Sequence, residues 1–127
     1  MENELSRKII AAAIEVHNCL GGPGLLESVY EAALYHELKL MKFSVQQQIP
    51  IQVIYKGQSV KDPFYLDLLV ENKIIVEVKA TESNNPLFQS QLLTYLRLSN
   101  KKLGLIINFG KKQIKEGISR VVNGLDR

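Results

Sequence analysis

The sequence predicts an α/β fold: a mixed β-sheet between helices, in the order α-α-β-β-β-α-β. Three observations carry the prediction. Two early stretches place apolar residues three and four apart, as amphipathic helices do. Two apolar, β-branched runs flank Glu71-Asn72-Lys73, as in a β-hairpin with a short loop. A strand, helix and strand then follow over 74–109, a parallel unit. The 127 residues suffice for one domain with a real core and are too few for two, so 1–127 is read as a single domain.

Leu5, Ile9, Ile10, Ala13, Ile14, Val16, His17 and Leu20 define the first helix, over about residues 4–20. His17 falls on or near the apolar stripe, where a packing histidine is the simpler reading than a ligand. Gly21-Gly22-Pro23-Gly24 breaks the chain, and Gly21 suits the left-handed cap of the helix. This loop lacks the spacing and the Lys-Ser/Thr of a phosphate-binding P-loop. The second helix runs from about Leu25 to Met41, with Leu26, Val29, Tyr30, Ala33, Leu34, Leu38 and Met41 as its stripe. Glu27 stands at the edge of that stripe. The helix dipole favours a first-turn carboxylate, and the same position lets Glu27 reach a cleft.

Val45, Gln47, Ile49, Ile51, Val53 and Tyr55 alternate with mostly polar neighbours, so a strand with one wetter face is expected, at an edge or with a bulge because of Pro50. Lys56-Gly57 turns the chain into Gln58–Val60 and Phe64–Val70. Pro86 near a helix start opens the third helix, about Leu87–Ser99, on which Phe88, Gln91, Leu92, Tyr95 and Leu98 share a face. Gln91 and Tyr95, four apart, can point at one spot, either to bond each other or to meet a ligand. The near-continuous apolar run 103–109 reads as a strand buried on both faces. Beyond Gly110 the pattern suits a short helix or an edge strand equally.

Net charge is +3, yet residues 101–127 carry seven basic side chains against two acidic ones, a balance of +5. Lys101, Lys102, Lys111, Lys112, Lys115 and Arg120 belong to this basic end, which suits a polyanionic partner or simply keeps the surface solvated. No apolar run approaches membrane-spanning length, the first residues lack a signal-peptide pattern, and a cytoplasmic protein is expected. The single cysteine, Cys19, excludes an internal disulfide and a cysteine zinc site, and is expected to be small and buried.

The sharpest chemical signal lies in the hairpin. Pairing Val70 with Ile74 sets Asp67 opposite Glu77 and Tyr65 opposite Lys79. Leu66, Leu68, Val70, Ile74, Val76 and Val78 then form one apolar face, and Asp67, Glu77 and Lys79 share the other; a one-residue slip would destroy that separation. Two facing carboxylates repel and resist desolvation, so a positive group belongs between them: Lys79, or a hard divalent cation. A solvated strand face with a weak ion pair is the plainer alternative.

Glu27 on a helix, Asp67 on one strand, Glu77-Val78-Lys79 on the next and Gln91-x-x-x-Tyr95 on the following helix together resemble the PD-(D/E)XK nuclease superfamily. The glutamine–tyrosine element resembles that of its RecB-like branch. Gly24-Leu-Leu-Glu27-Ser-Val-Tyr30 resembles the GxxExxY motif that names a small bacterial family within it. The likeness runs on through Tyr55-Lys-Gly57, Asp67-Leu-Leu-Val70, Val76-Glu-Val-Lys-Ala80, Gln91-Leu-Leu-x-Tyr-Leu96 and Gly104-Leu-x-x-Asn-Phe109, covering roughly residues 5–123. One departure is Leu66 where the superfamily motif has proline, with Pro63 nearby but out of place.

The resemblance implies a restriction-endonuclease-like core and a metal-dependent phosphodiesterase acting on nucleic acid, with DNA as the expected substrate. Asp67 and Glu77 would hold Mg²⁺, or Mn²⁺, helped by the Val78 carbonyl, with Glu27 as a further ligand. Lys79 would orient or deprotonate the attacking water, and Gln91 and Tyr95 would position substrate or steady the lysine. The basic residues would track a nucleic-acid backbone, and a homodimer would supply two sites for two strands. The rival expectation is a non-catalytic module that keeps the fold and the carboxylates for binding. A small-molecule enzyme with paired carboxylates is a third class, for which the sequence shows no pocket signature.

Overall fold

The computed structural model describes residues 2–124. Arg127 and Asp126, counted above in the basic end, lie outside the described residues. The elements are α1 (Glu2–Cys19), α2 (Glu27–Leu40), β1 (Val45–Tyr55), β2 (Gln58–Val70), β3 (Ile74–Lys79), α3 (Leu87–Ser99), β4 (Leu103–Asn108), a 3-10 turn (Ile114–Gly117) and β5 (Ile118–Val122). The five strands form one open sheet in the order β1-β2-β3-β4-β5. Only β3 and β4 are parallel, joined through α3; the other neighbours are antiparallel. This is the α/β, restriction-endonuclease-like arrangement expected.

Two apolar layers sandwich the sheet. On one face α1 and α2 bring Ile9, Ala13, Val16, Tyr30, Leu34 and Leu38 against Leu68, Val70, Val76, Val78, Leu105 and Ile107. On the other, Leu92, Tyr95 and Leu96 of α3 cover Ile51, Leu66, Leu69, Ile75 and Ile106. β3 and β4 are buried from end to end except for Lys79, because helices cover both their faces. Alternation along β2 and β3 divides Leu68, Val70, Ile74, Val76 and Val78 from Leu69 and Ile75, as burial requires.

The first helix ends as its glycine implied. Gly21 takes φ +88°, the Gly22 N–H donates to the His17 carbonyl at 2.8 Å, and the Gly21 N–H donates to that of Asn18 at 3.1 Å. His17 is a packing residue: it is buried, and its Nε2 donates to the Lys111 carbonyl at 3.0 Å. Pro50 sits in β1, an edge strand, where its missing N–H costs no ladder bond to a second neighbour.

Five expectations are corrected. Leu66 belongs to the α3 side and not to the face of Leu68: Leu68 is the last residue of β2 in register with β3, and the alternation seen in the hairpin does not carry past it. Leu26 and Val29 are exposed, at 74% and 41%, so the buried stripe of α2 is Tyr30, Leu34 and Leu38. Leu98 lies outside the buried set of α3. Cys19 is exposed, its thiol donating to Glu15 one turn back, because it closes α1 on the side away from the sheet. β2 is one continuous strand over Gln58–Val70, where two segments were expected. The undecided tail resolves as the 3-10 turn followed by an edge strand on β4. Among the described residues no helix is long and apolar enough to cross a membrane.

Candidate active site where the second and third strands part

The hairpin register is the expected one: Val70 pairs with Ile74, Leu69 with Ile75 and Leu68 with Val76. At the next rung the backbone ladder gives way to carboxylates. The Asp67 N–H donates to Glu77 Oε2 at 3.0 Å, and the Val78 N–H donates to Asp67 Oδ2 at 2.8 Å. Both side chains are thus oriented by main-chain donors, and the N–H of Val78 is committed to the first of them. Charge-assisted bonds of this kind are the strong ones.

Glu77 is only 3% exposed. Burial, together with the neighbouring charge of Asp67, pushes its pKa up to about 8, against the opposing pull of the Asp67 N–H and Lys79. Asp67 is shifted upward too, burial outweighing the Val78 N–H and Lys79. In this state the pair favours holding a proton.

Lys79 closes β3. Its ammonium donates to Gln91 Oε1 at 2.9 Å and lies 4.9 Å from the centre of the Phe88 ring. Tyr95, one turn beyond Gln91 on α3, is buried, and its ring tilts against Phe64 at 5.3 Å. Its phenol is raised in pKa by burial and by Glu77 and Asp67, and a hydrogen bond with the Gln91 side chain opposes that. Lysine, glutamine, tyrosine and carboxylate pair therefore form one connected group, as the four-residue spacing on α3 allows.

Glu27 starts α2 behind a clamped loop. The Tyr30 hydroxyl donates to the Gly22 carbonyl at 2.7 Å and accepts the Leu25 N–H at 3.1 Å. Its ring stacks on Phe109 at 4.7 Å. Gly24 takes φ +114°, a conformation open to glycine. The motif residues Gly24 and Tyr30 thus fix the turn that presents Glu27. Glu27 is exposed as a residue, yet desolvation raises its pKa, followed by repulsion from Asp67, with Lys79 opposing. It faces the pair at a distance and does not join it.

Two participants were missed in the sequence. Glu31, one turn after Glu27, also feels Asp67, and its pKa is raised mainly by burial. Gln48 stands between them: its Nε2 donates to Glu31 Oε2 at 3.0 Å and contacts Asp67 Oδ1 at 3.4 Å. The i, i+4 spacing from Glu27 was a usable signal for Glu31. Nothing local marked Gln48, whose φ of +51° interrupts β1 opposite Asp67.

Among the described residues, no three His, Cys, Asp or Glu side chains stand close enough together to hold a metal ion. The donor chemistry of the pair nevertheless fits one. Asp67 and Glu77 offer hard oxygens held by backbone bonds, and burial followed by their mutual repulsion raises the Glu77 pKa, which a bound cation would oppose. Glu27 does not make a metal-holding trio with them.

The basic residues are not gathered on one face. Lys101 and Lys102 precede β4, at the end of the sheet where Leu103 pairs with Ile74, and Lys101 donates to Asn72. Lys111, Lys112 and Lys115 follow the other end of β4, where Asn108 pairs with Lys79; Lys111 donates to the Glu82 carbonyl at 3.1 Å. Arg120 on β5 reaches back to Asn3 of α1.

Asn108 is wholly buried and braces this end. Its Oδ1 accepts the N–H groups of Thr81 (3.0 Å) and Gly110 (2.9 Å), and its Nδ2 donates to Thr81 Oγ1 and Asn84 Oδ1. The segments leaving β3, entering α3 and leaving β4 are thereby tied together. Gly110 permits the approach, since a Cβ there would meet the Thr81 carbonyl oxygen at 2.3 Å.

No curated protein and no solved structure matches the chain. The family model of the PD-(D/E)XK nuclease superfamily matches residues 3–121, nearly the whole of it. Members of that superfamily typically use divalent metal ions and act on nucleic acid. With the sheet order, the Asp67–Glu77 pair and Lys79 beside it, the match places the chain: it belongs to the PD-(D/E)XK nuclease superfamily.

Proposed function

We propose that this protein is a Mg²⁺- or Mn²⁺-dependent nuclease that hydrolyses phosphodiester bonds in DNA. The observation that carries the reading is the reciprocal anchoring of Asp67 and Glu77 where β2 leaves β3, with Lys79 two residues further on. Asp67, Glu77 and the Val78 carbonyl would hold the cation, and Glu27 would have to swing in from its place at the start of α2 to complete the shell. When bound, the cation supplies Lewis-acid chemistry at the phosphate and acidifies water.

The chain's own residues do the rest. Glu77 would have to give up its proton to serve as a ligand. Lys79, held by Gln91 and Phe88, donates a hydrogen bond that orients the attacking water and offsets charge growing on the phosphate oxygens. Gln91 and Tyr95 fix that ammonium from α3. The water oxygen forms the new P–O bond as the bond to the leaving sugar oxygen breaks; the attacking water loses one proton to bulk solvent, and the leaving oxygen takes one from a solvent water. Lys111, Lys112 and Lys115, at the same end of the sheet, contact the backbone, with Arg120, Lys101 and Lys102 further out, so binding is salt-sensitive and carries little base readout. The protein works in the cytoplasm, and two copies on one duplex supply the two centres a double-strand cut needs.

The test is cleavage of supercoiled plasmid with Mg²⁺ or Mn²⁺, against EDTA and against Lys79→Ala. Metal-dependent cleavage abolished in a folded Lys79→Ala supports the reading. A second reading, a non-catalytic binding module, is favoured by Glu27 standing apart from the pair. It gains if neither metal yields cleavage and neither moves the thermal midpoint.

A further inference from the structure

β2 is longer than the sheet needs. Of its 13 residues only Leu68, Leu69 and Val70 pair with β3. From Ile49 paired with Leu66 to Tyr55 paired with Gln58, β1 and β2 pair with each other alone. The base of this two-stranded ribbon is anchored: Ile51 and Leu66 are buried against α3, with Ile49 and Phe64 beside them. The tip is not: Gln52 and every residue from Ile54 to Asp62 are exposed. Beyond Ile51 the ribbon reaches out by about 15 Å, at about 3.4 Å per residue.

An isolated two-stranded ribbon is marginal in water, and this one also exposes Ile54, Tyr55 and Val60, each more than half accessible. Its charge leans positive: from Gln46 to Asp62 it carries Lys56 and Lys61 against Asp62, whereas the neighbouring centre carries Glu27, Glu31, Asp67 and Glu77. Lys56 lies over the Tyr55 ring at 5.5 Å and Lys61 over the Phe64 ring at 5.4 Å, which holds both ammonium groups on the ribbon. Gln52, Gln58 and Ser59 add hydrogen-bonding side chains. The strand then runs from this tip directly into Asp67.

We propose that the β1–β2 ribbon is a DNA-docking arm that enters the major groove of a B-form duplex and sets the carboxylate pair on a backbone phosphate. This rests on the nuclease reading and names its substrate more closely. A two-stranded ribbon fits a groove about 12 Å wide and about 8.5 Å deep. The major groove of A-form RNA is too narrow to admit it. The arm therefore selects duplex DNA over duplex RNA, and Lys56 and Lys61 each take a phosphate at the groove edges.

The experiment measures binding without cleavage, in the full chain carrying Lys79→Ala, by fluorescence anisotropy on a DNA duplex and an RNA duplex of the same sequence. Lys56→Glu with Lys61→Glu is added to the same chain, with Lys56→Gln and Lys61→Gln as the milder pair should the charge reversal disturb folding. The expected result is tighter binding to DNA than to RNA, a fall of about tenfold or more in DNA affinity with the arm altered, loss of the preference, and a salt slope smaller by about two. DNA affinity and slope unchanged in a folded arm variant overturn the arm while leaving the nuclease reading in place. So does a dimer in sedimentation that Val60→Lys breaks with DNA binding intact, since a second copy would then cover the ribbon. Failure of the unaltered arm to bind either duplex removes the nuclease reading and the arm with it.

Discussion

Glu77 and Asp67 orient one another through the main chain: Glu77 Oε2 accepts the Asp67 N–H at 3.0 Å, and Asp67 Oδ2 accepts the N–H that follows Glu77, that of Val78, at 2.8 Å. Two carboxylates are thereby kept close in a half-buried gap of the sheet. The consequence is a group that ionises reluctantly, which makes stability depend on pH and on cations.

The sign of that dependence follows from linkage. Glu77 titrates at about 8 in the fold and near its ordinary 4.5 in the unfolded chain. The native state binds the proton more tightly, so the stabilisation is complete below the unfolded value and is lost as pH rises toward and through the folded one. The metal-free protein is expected to melt several degrees lower at the alkaline end of this window than at its acid end. Glu77→Gln flattens the profile, and added Mg²⁺ raises the midpoint more at alkaline than at acid pH. Differential scanning fluorimetry across the window checks all three.

Lys79→Ala is expected to lower cleavage by about a hundredfold or more, the scale of losing one aimed donor in the transition state. Gln91→Ala, which frees the ammonium without removing it, is expected to lose less and to fall mainly in kcat. Single-turnover assays on a defined duplex, beside far-ultraviolet circular dichroism, distinguish lost chemistry from lost fold.

Asn108→Ala is expected to destabilise by about 2 kcal/mol, because it takes the acceptor from the part-buried N–H groups of Thr81 and Gly110, at about 1 kcal/mol each, the low end for an unpaired donor. Asn108→Asp keeps the acceptor oxygen but buries a carboxylate whose second oxygen faces Asn84 Oδ1, and is expected to cost at least as much. Urea unfolding gives both values.

Tyr30→Phe keeps the stack on Phe109 and removes the hydroxyl that joins Gly22 to Leu25. A loss of about 1–2 kcal/mol is expected in denaturant unfolding. The loop before α2 should also gain hydrogen exchange at the Leu25 amide, while the core of α2 stays protected.

Much of this was legible in the chain. The register of the β2–β3 hairpin followed from burial, since a one-residue slip would have put one strand's apolar set on the face that carries Asp67, Glu77 and Lys79. The pairing of Gln91 and Tyr95 on one face of α3 followed from helical period. Leu66 escapes the alternation of the hairpin because that alternation holds only as far as Leu68, where β2 parts from β3. Cys19 was misplaced because residue type stood in for position: it closes a helix whose buried face belongs to Val16 and His17. Gln48 was invisible because a left-handed residue within a strand leaves no periodic trace.

The sequence alone determined the order of elements as far as β4, the facing of Asp67 and Glu77, and the companionship of Lys79, since each is set by short-range periodicity under one demand, that apolar side chains leave water. The tertiary structure alone decided that Glu31 and Gln48 join the acidic centre, that Glu27 stands back from the pair, that the basic residues scatter, and that β1 and β2 project beyond the sheet. Those outcomes depend on how separate elements pack against one another, which no single stretch of chain encodes.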